Sequence, residues 1–207
     1  MARLTWANIK TEATSELRER TDISTRVENW IRQSFLEVAY GYRFHELETS
    51  DTFTVSNDTE ITFTEAGITN IKHILSLRDV TNKRKVNPAP FRYIDNIATR
   101  IGAPSRYCRF GSTIMFDSSI TTEISFRLRY RKSVTEPVYS GTTYPDTPDE
   151  WDEVILLLAV ARGFEALFEP NMANTFEQRA MRLIAKIPTD EFVEAEDDNF
   201  GITPKIG

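Results

Sequence analysis

The sequence holds one cysteine, Cys108, and two histidines, His45 and His73, among its 207 residues. A single thiol cannot close an intramolecular disulfide, which suits folding in a reducing cytoplasm. One thiol and two imidazoles also fall short of the four-ligand sets that hold structural zinc, so no metal site is expected. His45 falls at a helix–strand junction and His73 inside a strand pattern, both read as structural positions. Long apolar runs are scarce too. The longest, Val154 to Ala161, has eight residues, whereas a bilayer-spanning helix needs roughly 20, so no membrane partner is expected. The opening Met-Ala-Arg-Leu-Thr-Trp lacks the apolar stretch of a secretory leader. No G-x-S-x-G, P-loop or dinucleotide fingerprint is present, and Gly102-Ala-Pro104 reads as a turn rather than a phosphate cradle. No catalytic residue and no cofactor are therefore nominated.

What is present is an ordinary globular balance, 40% apolar and 27% charged residues, enough for a real core. The net charge of −6 hides a segregation. Residues 78–132 carry 12 basic and 4 acidic side chains, and residues 133–207 carry 5 basic and 15 acidic ones. A globally acidic chain is a poor general binder of nucleic acid. A basic middle and an acidic end can instead meet across a subunit interface.

Periodicity divides the chain into an α+β order. A helix is predicted from about Thr5 to Arg20, with Trp6, Ile9, Ala13 and Leu17 at helical spacing. A second, from Asp22 or Ser24 to Gly41, places Val27, Trp30, Ile31, Ser34, Phe35 and Val38 on one face. Period-two segments follow. Thr52–Val55 and Ile61–Thr64 read as a hairpin, and further strands are expected at Ile71–Leu77, Arg106–Phe110, Thr113–Phe116 and Glu123–Arg131. Asn82–Lys85 reads as a polar turn, Phe91–Ala98 as a short helix, and Gly111-Ser112 as a tight turn. Thr147-Pro148-Asp149-Glu150 has the form of a capping box opening a helix from Trp151 to about Phe168. Pro170 reads as its stop, and a last helix spans Met172–Ile187. The expected architecture is a four-helix frame, helices in 1–42 and 147–187, carrying an antiparallel β insertion, 43–146, between its second and third helices, with an extended acidic tail, 188–207.

Two groups of residues stand out as candidate contacts. In the strand near 124–131, Ile124, Phe126, Leu128 and Tyr130 share one face and Arg127, Arg129 and Arg131 the other. Three like charges on one face need water or an acidic partner, and a neighbouring subunit is the expected one. The aromatics lie opposite the arginines, so they are core rather than a platform for stacking bases. In the tail, six acids surround Phe192, Val193, Phe200, Ile202 and Ile206. A tail that merely solvates has no need of such side chains, so docking on a partner protein or a neighbouring copy is expected. Asp149, Glu150, Asp152 and Glu153 cluster at a helix start. The helix dipole favours acids there, which is the preferred reading over a glycosidase-like pair.

The order of signals resembles that of the head-to-tail adaptor, or neck connector, proteins of tailed bacteriophages. The resemblance is carried by Gly102-Ala-Pro104-Ser-Arg-Tyr107, a turn at Gly111, Ile114-Met-Phe-Asp117, Ile124-Ser-Phe-Arg-Leu-Arg-Tyr-Arg131 and Tyr144-Pro-Asp-Thr-Pro148-Asp-Glu-Trp151. Asp117-Ser118 departs from relatives that often carry prolines there, which bears on the adjoining turn. The resemblance implies a virion protein of the neck, assembled in the host cytoplasm. It implies a ring of copies, usually a dodecamer, bound beneath the portal protein, with DNA passing through its channel without sequence recognition and a stopper or tail protein docking below. Alternatives are a tail terminator or tube subunit and, less favoured, a neck-associated peptidoglycan hydrolase.

Overall fold

A computed structural model describes residues 3–18, 23–42, 44–96 and 100–187. The chain is α+β, with five helices and a curled seven-stranded sheet. Helix α1 spans Trp6–Glu16 and α2 spans Ser24–Gly41. Thr5 caps α1, its Oγ1 accepting from the Asn8 amide at 3.1 Å. The helix stops short of the expected Arg20: Arg18 adopts a positive φ of 65° just after it, a left-handed stop of the kind that ends helices. Beyond the sheet come α4, Asp152–Ala166, and α5, Pro170–Ile184. Pro170 therefore opens α5 instead of only closing α4. Its fixed φ suits the first helical position, where no amide donor is required.

Residues of α1, α2, α4 and α5 bury one apolar cluster. Val154 through Ala161, apolar on every side, is buried all round within the subunit. No interface between copies is needed to explain that run. Trp6 meets Phe35 edge-to-face at 4.9 Å, and Phe164 stacks on Phe176 at 5.5 Å. Gly163 lets α4 come close: a Cβ there would lie 2.7 Å from both Leu17 methyls.

The strands are β1, Glu48–Val55; β2, Asp58–Thr62; β3, Ile71–Asp79; β4, Arg84–Pro88; β5, Arg106–Phe110; β6, Thr113–Ile120; and β7, Ile124–Lys132. Helix α3, Phe91–Asp95, lies between β4 and β5 in sequence. The sheet order is β1-β7-β3-β4-β5-β6-β2. The expected hairpin between β1 and β2 is not formed. β1 pairs β7 along its whole length, β2 pairs β6, and the two stand at opposite edges of the sheet. Alternation identifies strands, but their partners follow from faces buried together: Phe53 lies opposite Phe126 and Val55 opposite Ile124. Nor is the sheet purely antiparallel, because β4 and β5 run parallel. The long connection through α3 makes that crossover feasible. Arg84 and Lys85 belong to β4, so the expected polar turn closes earlier, with Lys83 at φ 55°.

The curl is visible in the rings. Phe126 of β7 stacks on Phe116 of β6 at 5.0 Å, although four places in the strand order separate them. The concave face thus closes over a second apolar cluster that includes Leu77, Val86, Ile114 and Leu128. Where a proline is common in the resembling family, Asp117 continues β6 unbroken. It is buried and accepts hydrogen bonds from the Ser105 amide, at 2.8 Å, and hydroxyl, at 2.6 Å.

Candidate interaction surface

The alternation read in β7 sends Ile124, Phe126, Leu128 and Tyr130 into the concave core and Arg127, Arg129 and Arg131 to the convex face. The three arginines meet different surroundings. Arg129 pairs with Glu48 of β1 at 2.9 Å. Arg131 donates to the carbonyls of Ala39 and Tyr42, at 2.5 and 2.6 Å. These are orphan carbonyls at the end of α2, where a cation also suits the helix dipole. Arg131 therefore joins sheet to helices. Arg127 is exposed. Register places it beside Arg78 of β3, and Arg78 beside Lys85 of β4, so three cations form one row across the convex face. Like charges in adjacent register repel. Sequence reading of a single strand found Arg127 but missed the row. Arg78 and Lys85 join it only through pairing.

Beside this row, α3 lies against β5 and leaves aromatic surface open. Phe91 and Phe110 stack at 4.7 Å, and Arg106 sits over the Tyr93 ring at 4.3 Å. Phe91, Tyr93 and Phe110 are 37%, 41% and 59% exposed. Tyr, Phe and Arg in one patch are the residue types that anchor protein contacts.

The segment before α4 did not fold as its sequence suggested. Thr147 is buried and its Oγ1 has no hydrogen-bond partner among the described residues, so the capping box is not made. A 3₁₀ turn, Asp149–Trp151, precedes α4 instead, with Pro148 before it. Asp152 plays the structural part. Its Oδ2 accepts from the Leu4 amide at 2.8 Å, tying the start of α1 to the start of α4. Burial pushes the carboxyl up to about 6, against the opposing pull of the Leu4 hydrogen bond and of Arg3, with Asp149 and Glu150 adding repulsion. Nearby, a cleft of about 730 Å³ is lined by Arg3, Glu46, Lys132, Asp146, Asp149 and Glu150 among others. Its charges are of both signs and its mouth is open. Among the described residues, no group of three or more His, Cys, Asp or Glu side chains is placed to hold a metal ion, and no helix is long and apolar enough to cross a membrane. His73 is pushed down from its ordinary value by partial burial and by Lys72, Arg131 and Arg109. The tail residues Phe192, Val193, Phe200, Ile202 and Ile206 lie outside the described residues.

The described residues thus form a cationic row on the convex sheet face, an open aromatic patch and two apolar cores. Comparison with protein families gives the particular class. The model of the SU10 adaptor protein family matches residues 4–201, and the chain belongs to this family of phage head-to-tail adaptors. It is a structural phage protein of the adaptor kind. No curated protein matches the chain.

Proposed function

We propose that this chain forms a ring between head and tail of the virion, docked beneath the portal protein, extending the DNA channel and offering the surface on which a stopper or tail protein attaches. The observation that carries this reading is the family match across nearly the whole chain. Within the proposed ring, the family resemblance implies a dodecamer. Residues 1–42 and 147–187 act as one helical frame, 43–146 as its insertion, and 188–207 as an acidic docking tail. The face bearing Arg127, Arg129 and Arg131 meets acidic surface on a neighbour, with Arg127 the most accessible of the three. Phe192, Val193, Phe200, Ile202 and Ile206 anchor the tail on the portal or on a neighbouring copy.

The test is imaging of virions carrying a labelled subunit. Label in a ring directly under the portal is the expected result. Label along the tail or at its upper end would replace the proposal with a tube or terminator subunit.

A further inference from the structure

We propose that the exposed aromatic patch on α3 and β5, with the cationic row beside it, is the docking site for residues 190–198 of a second copy of this chain. The inference rests on the reading that copies assemble side by side, and adds to it the site where the tail binds.

The argument is a match of two chemistries in one order. Phe91, Tyr93 and Phe110 form an open apolar patch, with Arg106 against Tyr93. Arg106 lies opposite Asn87 of β4 in register, and the convex faces of β4, β3 and β7 continue with Lys85, Arg78 and Arg127. The surface thus runs from aromatic to cationic. Residues 190–198 read Asp-Glu-Phe-Val-Glu-Ala-Glu-Asp-Asp, an apolar pair followed by four acids within five positions. Arg106 is level with Asn87, two residues along β4 from Lys85, so the way from Arg106 to Arg127 is three strand spacings across and two residues along, roughly 16 Å. Five residues in extended form reach about 17 Å, which spans it when Glu194 starts at Arg106. Phe192 and Val193 would cover the aromatic patch while Glu194 to Asp198 cross the cationic row.

The alternatives fit less well. Duplex DNA offers phosphates for the row but no apolar side chain to cover Phe91 and Phe110, and the chain carries a net charge of −6. Among the described residues neither Arg78 nor Arg127 has an ion-pair partner, so a charged occupant does not have to displace one there. A second copy is the favoured donor because a head-to-tail contact between unlike surfaces of identical subunits is what closes a ring.

The experiment uses the full chain bound to portal-bearing heads, with Phe192→benzoylphenylalanine as photo-crosslinker and an equal mixture of light and heavy isotope-labelled chains. The expected crosslinks join position 192 to the peptides holding Phe91, Tyr93 or Phe110, and about half of them pair a light with a heavy chain, as random neighbours must. The paired changes Arg78→Glu and Arg127→Glu should lower that yield at least tenfold, while Arg26→Glu, an exposed cation on α2, leaves it unchanged. Crosslinks within one chain only, crosslinks to portal or to another part of the surface, or no crosslinks at all overturn the inference. So does a yield indifferent to the paired reversal, which would leave the row to phosphate contact. If crosslinks fall elsewhere while the chain still binds heads, the adaptor reading stands without this site. If the unmodified chain does not bind heads, both readings fail.

Discussion

Replacing Asp152 by Asn should stabilise this protein at neutral pH, and the gain should fade in acid. The Asp152 side chain is almost fully buried, with the residue 2% exposed. One oxygen holds the Leu4 amide, and the other has no hydrogen-bond partner among the described residues. Burial raises its pKa from the ordinary 3.8 to about 6. The folded state therefore holds the proton more tightly than the unfolded chain. Stability drawn from this group is greatest below about pH 4, declines as pH rises towards 6, and stays at its lowest above that. At 1.36 kcal/mol per unit, the full penalty is roughly 3 kcal/mol. The start of α4 offsets some of it, since a helix N-terminus favours a nearby anion by about 0.3–1 kcal/mol. Asp152→Asn keeps an acceptor for Leu4 and removes the buried charge. The variant should exceed the parent by about 2 kcal/mol at pH 8, and by about half that at pH 5. Urea unfolding of both proteins at the two pH values measures the gap, and other carboxylates cancel in the difference. A parent as stable as the variant at pH 8, or a gap that ignores pH, would refute the reasoning.

Two further substitutions probe the packing and the cationic face. Gly163→Ala places a methyl 2.7 Å from both Leu17 methyls and 3.2 Å from Trp30 Cζ3. Leu17 is itself buried, so its methyls must repack against their neighbours to make room. Overpacking of about 1–3 kcal/mol should outweigh the roughly 1 kcal/mol that alanine gains in helix propensity. A raised urea midpoint would show that α1 yields more easily than this contact implies. Arg129→Glu sets an acid beside Glu48, whose side chain is only 6% exposed, and should destabilise the chain by about 1–3 kcal/mol. Arg127→Glu, on the exposed position of the same strand, should change stability by no more than about 0.5 kcal/mol. Thermal unfolding of the two variants compares them directly, and equal losses would mean that the Glu48 pair contributes nothing.

The sequence by itself determined what depends on near neighbours. The helical spacing of Val27, Ile31, Phe35 and Val38 and the alternation from Ile124 to Tyr130 are local patterns, and both became elements with the expected buried face. The charge segregation and the family resemblance are also properties of the chain as written. Partnership was decided only in three dimensions. Alternation in β1 and β2 is satisfied by any apolar face, so it did not reveal that the two strands stand at opposite edges of the sheet. Thr147 carries a capping signature, yet the chain enters α4 through a 3₁₀ turn and Asp152 is used to fasten α1. The arginines of β7 look alike in sequence. Folding gives Arg131 to the carbonyls ending α2 and Arg129 to Glu48, and it aligns Arg127 with Arg78 and Lys85. The physical reason is the same in each case. A residue's face is fixed by the backbone repeat over a few positions, whereas its partner is fixed by which distant surfaces bury most apolar area together.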